Sequence, residues 1–129
     1  MDVNRASALH RLLGDEARLR LLRVLSRERL NVTELTGVLG LAPSGVSRHL
    51  GLLKEGGFVA EEKAAGYTYY RVPPAVREDG RSALWTALEE QFEAAADDPA
   101  VRADEARLDR KSTRLNSSHI QKSRMPSSA

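Results

Sequence analysis

The chain has 129 residues, 41% hydrophobic and 29% charged, with no cysteine. That length suits one domain with its own core. The composition excludes disulfides and thiol chemistry, and no apolar run is long enough to span a bilayer, so a soluble cytoplasmic protein without a secretory leader is expected.

The net charge of +2 hides an uneven distribution. Met1 to Leu108 carries 15 Lys and Arg against 17 Asp and Glu; within it, Met1 to Phe58 has nine against six and Val72 to Leu108 four against nine. Positive charge is therefore concentrated in the N-terminal half, where a polyanion would bind.

Asn4 to Leu13 places Leu9, Leu12 and Leu13 at helical spacing and stops at Gly14. Asp15 to Ser26 opens with two acids, suited to the positive end of a helix dipole, and repeats Ala17, Leu21, Val24 and Leu25 on one side. Arg18, Arg20, Arg23 and Arg27 form its cationic face, which solubility explains, with phosphate contact by one of them as the alternative. Thr33 to Leu39 reads as a short helix capped by Thr33 and ended by Gly40, with Val32, Leu35, Val38 and Leu39 facing inward.

Only Gly40, Leu41 and Ala42 separate that helix from Pro43 to Lys54, PSGVSRHLGLLK. Val46, Leu50 and Leu53 recur at i, i+4 and i+7 and line a buried stripe, which turns Ser44, Ser47 and Arg48 to water. Gly45 and Gly51 leave the outward face bare, and Pro43 suits the first helical position. An ordinary amphipathic helix would look much the same. The preceding short helix and tight turn favour a helix-turn-helix, whose second helix offers its N-terminal residues to base edges in the major groove.

Gly56 and Gly57 end this helix, and the period changes. Phe58 to Lys63 and Tyr67 to Val72 are strand-like, joined through Ala64, Ala65 and Gly66 as a hairpin with Tyr70 and Val72 inward. After a helix-turn-helix such a ribbon is a wing. Lys63 and Arg71 are within reach of phosphates or the minor groove, although Glu61 and Glu62 leave the ribbon neutral.

Pro73 and Pro74 break the chain, and Ser82 to Ala96 resumes a helix with Leu84, Leu88 and Phe92 in a stripe beside Trp85. This stripe predicts self-association about a two-fold axis with Leu9, Leu12 and Leu13, packing within one subunit being the alternative. Asp97, Asp98 and Pro99 end it, and Ala100 to Leu108 starts another helix. The expected fold is mainly α with a small β-hairpin, a winged helix-turn-helix in the order α-α-α-α-β-β-α. Its domain covers residues 1–96, and residues 97–108 begin a linker or helix to a further domain.

The run from Asp15 to Val72, above all VSRHLGLLKEGGFV and GYTYYRV, resembles the ArsR/SmtB family of bacterial winged-helix transcription regulators. The resemblance implies a homodimeric repressor, not an enzyme, that leaves its double-stranded DNA operator when an effector binds. It places Ser44, Gly45, Ser47, Arg48 and His49 on the DNA-facing positions of the reading helix and Lys63 to Tyr67 at the wing tip. The two reading helices of a dimer would lie about 34 Å apart. For His49, a base or phosphate contact and a packed histidine are both open.

Three departures from the family pattern matter. Ala42 stands where a capping Ser or Thr is usual, Pro43 replaces a frequent Gln, and the helix that often carries the metal-binding thiolates, here Val32 to Gly40, has no cysteine. A second family metal site needs His and carboxylates in the last helix, which offers Glu89, Glu90 and Glu93 without His. No metal and no cofactor are expected. In one subfamily a segment like ALWTALEEQFE and DDPAVRADEARL leads into an S-adenosylmethionine-dependent methyltransferase, so the regulator half of such a fusion is the alternative. Met1 to Leu108 itself contains no glycine-rich nucleotide loop or catalytic set.

Asp109 to Ala129 lacks apolar periodicity. Asp109 to His119 and Ser123 to Ala129 reverse-translate, in one frame, into strings like the two constant parts of a sequencing-library adapter, with Ile120 to Lys122 at the variable index. The expectation is a non-native, disordered tail over 109–129 after a native chain that continued past Leu108; a basic nucleic-acid-binding tail is the rival reading.

Overall fold

Asp2, Asp15 and Asn31 each turn a side-chain oxygen onto the backbone N–H three residues ahead, and these caps start α1 (Val3–Leu13), α2 (Glu16–Leu25) and α3 (Val32–Leu39). The computed structural model describes residues 2–78 and 82–111. At α3 the cap is reciprocal: the Glu34 amide donates to Asn31 Oδ1 at 2.8 Å, and the Asn31 amide to Glu34 Oε1 at 3.0 Å. Asn31, not Thr33, is therefore the cap, because only the residue three before Glu34 can close this box. Asn31→Ala is expected to cost about 1 kcal/mol of stability, read as a lower urea midpoint at unchanged slope.

The turn after α3 leads into α4 (Pro43–Glu55). This helix ends in a left-handed Gly57 at φ 81°, where the Gly57 amide donates to Lys54 and the Phe58 amide to Leu53, the double wrap of a Schellman motif. The chain emerges into β2 (Ala60–Ala64) and β3 (Tyr67–Arg71). Ala65 at φ 52° and Gly66 at φ 83° make the mirror-image two-residue turn that matches strand twist.

The ribbon is broader than its sequence suggested. Leu30–Asn31 forms β1 on the outer side of β3, giving a three-stranded antiparallel sheet in the order β1-β3-β2 with Leu30 opposite Tyr70. Two residues carry no alternation to read. Phe58 and Val59 lie in the core ahead of β2 rather than in the strand. Val72 is buried and Tyr70 packs at the core edge, as the alternation required.

Past Pro73 and Pro74 come a single turn, α5 (Ala75–Glu78), then α6 (Ser82–Ala94) and α7 over 99–111. Trp85 and Leu88 of α6 enter the same core as Leu22, Leu50 and Phe58, and Phe92 meets Trp85 edge-on at 6.2 Å. Part of the expected self-association stripe thus packs within this chain, the alternative given for it. Leu13, Trp85 and Leu88 are already buried inside one subunit, so only the half-buried Leu9, Leu12, Leu84 and Phe92 retain surface to offer.

Of the expected linker or helix over 97–108, residues 99–108 are helical. α7 folds back on α2 and α3, burying Leu108 and Asp104. Asp109 to Lys111, assigned to a tail, complete its last turn, with Lys111 Nζ 2.8 Å from Glu34. The rest of the expected tail lies outside the described residues. Among the described residues, no helix is long and apolar enough to cross a membrane.

Candidate nucleic-acid interface

α4 has two unlike faces. Val46, Leu50 and Leu53 are at most 1% exposed, while Ser44, Ser47, Arg48 and Gly51 face outward. Arg48 has no ion-pair partner among the described residues. Beyond the position a Cβ would take on Gly45 or Gly51, nothing lies within 4 Å, so an approaching surface meets bare backbone there. Ala42 supplies no side-chain cap, and the helical ladder begins only with the Val46 amide on the Ala42 carbonyl. The Ser44 and Gly45 amides are thus left at the positive end of α4, where a phosphate oxygen would satisfy them.

The wing stands beside this helix. Lys63 is exposed near its tip and Tyr67 is 59% exposed. Glu61 and Glu62, which cancel the ribbon's charge on paper, are engaged at its base. Lys54 of α4 lies 3.1 Å from Glu61; Glu62 takes Arg29 at 2.9 Å and Arg71 at 3.6 Å, and Arg29 stacks on Tyr69 at 4.6 Å. These contacts fasten the wing to the body and leave Lys63 as the forward cation. Arg71 is half-buried and spent mainly within the sheet.

His49 does not belong to the outward face. It is 7% exposed, and its Nδ1 lies 3.2 Å from Arg18 Nη1. Position explains this: His49 is three residues after Val46 and four before Leu53, on the flank of the buried stripe. Burial lowers its pKa below the ordinary histidine value.

The comparisons with known proteins fall on this same stretch. A family model for a helix-turn-helix domain matches residues 13–62, from the end of α1 into β2. The arsenic resistance transcriptional regulator ArsR1 of Pseudomonas putida is 38% identical over 65 residues, covering 50% of this chain and 51% of that protein. The chain has the winged helix-turn-helix fold and over this stretch is similar to ArsR-family regulators. It spans about half the length of the curated relatives it matches, 51% and 59% for two of them. The transcriptional repressor BigR from Xylella fastidiosa superposes with a TM-score of 0.59 at 28% identity, over 70% of this chain and 86% of that one. The homodimeric winged helix-turn-helix DNA-binding domain of Mb0332 from Mycobacterium bovis shares the fold at a TM-score of 0.57 and 22% identity, over 72% of this chain and 82% of that one.

In this chain Arg20, Arg23 and Arg27 are engaged by acids of α7 rather than free for phosphates. Arg20 reaches Asp104 of α7 through Nε at 2.8 Å and Nη2 at 2.7 Å, and Nη2 also donates to the Leu39 carbonyl. That hydrogen bond raises the pKa of Arg20 further. Arg23 and Arg27 share Glu105; burial works to raise the Glu105 pKa, but the hydrogen bonds from Arg27 and Arg23 bring it below the ordinary value. Arg107 of α7 donates to the Val38 carbonyl at 3.0 Å. The last α3 carbonyls are therefore held by two arginines that converge on Asp104. Sequence reading missed this cluster, since its arginines and the groups they bind across helices lie 69 to 84 residues apart, Arg20 to Leu39 excepted.

Proposed function

We propose that this chain is a sequence-specific DNA-binding transcriptional regulator, a homodimeric cytoplasmic repressor. It sets α4 in the major groove and the β2–β3 wing against the adjacent backbone. Ser44, Gly45, Ser47 and Arg48 contact the groove, Lys63 and Tyr67 the flanking strand, with Arg71 at the wing base in support. The observation that carries the reading is the pairing on α4 of a fully buried stripe with an outward face that is polar, cationic and uncapped at its N-terminus. The half-buried Leu9, Leu12, Leu84 and Phe92 join the two subunits.

Arsenic resistance is said of the Pseudomonas relative. This chain has no cysteine and so no thiolate to offer a soft metal ion.

Selection of genomic fragments with the full chain, at several salt concentrations, tests the proposal. Enriched fragments are expected to carry paired half-sites about 10 base pairs apart, and affinity is expected to fall steeply and linearly on a log–log salt plot. Recovery of fragments in their input proportions would overturn it. The alternative is that past the Leu108 codon the gene runs on into an S-adenosylmethionine-dependent methyltransferase domain, resting on the likeness of ALWTALEEQFE and DDPAVRADEARL to a segment that leads into one. Sequencing the locus downstream of that codon decides this.

A further inference from the structure

Arg18 touches three helices. Its Nε donates to the Leu12 carbonyl at 2.6 Å and Nη2 to the Arg11 carbonyl at 3.4 Å, both at the end of α1, while Nη1 lies 3.2 Å from His49 Nδ1 on α4. A guanidinium has no acceptor. Nδ1 must therefore be the acceptor, and the imidazole is neutral with its proton on Nε2. One side chain thus joins the C-terminus of α1, the body of α2 and the inner flank of the reading helix.

We propose that Arg18 and His49 are a positioning pair that sets the roll of α4 against the α1–α2 corner, and that the pair releases when His49 takes up a proton. The proposal rests on the DNA-binding reading above. Arg48 immediately precedes His49 on the same rigid helix, so a rotation that frees the ring also re-aims Arg48. Protonation would point Nδ1–H at a guanidinium N–H, replacing a hydrogen bond with two like charges in a site largely closed to water.

The charged groups around the ring are Arg18 and Asp15 of α2 and Arg48 of its own helix. From α1, the Leu12 and Arg11 carbonyls reach the pair through Arg18. Burial, the largest influence, lowers the ring's pKa; Asp15 works to raise it, and Arg48 and Arg18 lower it again. With the folded value depressed, the unprotonated pair persists above about pH 6.5, the unfolded histidine value, and is lost as pH falls through the folded value. Extra protons elsewhere on the protein would tighten phosphate binding. Weaker binding in acid is therefore a signature of this pair.

Binding of the full chain to a duplex it selects, followed from pH 8 to pH 5 at fixed salt, tests the inference. Wild-type affinity is expected to fall by about tenfold below pH 6.5. His49→Gln keeps an acceptor for Arg18 but cannot titrate, and its profile is expected to stay flat or rise toward acid. Parallel profiles for the two proteins would overturn the inference, as would loss of wild-type binding in step with loss of helical circular dichroism. If the wild type retains no duplex at pH 8, the DNA-binding reading fails instead, and amide chemical shifts decide the pairing without DNA. Signals from the last turn of α1, which meets the ring through Arg18, are expected to follow the His49 titration; shifts confined to α4 would overturn it.

Discussion

Asp104→Ala is expected to lower the free energy of unfolding by about 3 kcal/mol, the lower end of the range for breaking one partner out of a buried ion pair. Asp104 is 1% exposed, and Arg20, held to it by two hydrogen bonds, retains 16% of its side-chain surface, which is why the lower end applies. Removing the carboxylate would leave the Arg20 and Arg107 guanidinium groups facing one another above the end of α3, with Arg107 Nη1 3.8 Å from the lost oxygen. Each would still donate to a terminal α3 carbonyl, but without a counter-charge. Urea denaturation gives the number, and Asp104→Asn, which keeps the shape and one acceptor, is expected to lose less. A loss under about 1 kcal/mol would mean that water replaces the carboxylate and the pair is effectively at the surface.

Arg48→Ala is expected to weaken binding to a selected duplex by about 1–3 kcal/mol while leaving stability within about 0.5 kcal/mol. The side chain is exposed and without an ion partner among the described residues, so the fold has nothing to lose with it. The pattern across duplexes tells what it touches. A loss concentrated at one base position means guanine readout. An equal loss on every sequence, with a salt slope shallower by about one, means a phosphate contact. An unchanged affinity would remove α4 from the interface.

Much of this was legible in the residues, and some of it was legible but read otherwise. The spacing of Val46, Leu50 and Leu53 defined both faces of α4, and the same wheel places His49 inside; the family resemblance had set it among the DNA contacts. Asn31 and Glu34 hold the spacing of a capping box that Thr33 obscured. Nothing local marks Leu30 and Asn31 as a strand, because a pair of residues has no period. Nor does anything local separate Arg20, buried against an acid of α7, from Arg48, open to solvent.

Backbone geometry repeats every 3.6 residues in a helix and every two in a strand, so buried and outward faces, turn positions and the helix-turn-helix itself were determined by local sequence alone. Which cations remain free was decided only in the folded chain. A charge is neutralised by whatever lies within a few ångströms, and here α7 brings Asp104 and Glu105 back onto arginines of α2 across more than 80 residues. Closure of Trp85 and Leu88 onto the subunit's own core was settled the same way, by how α6 docks, since an apolar stripe states that it must be covered without stating by what.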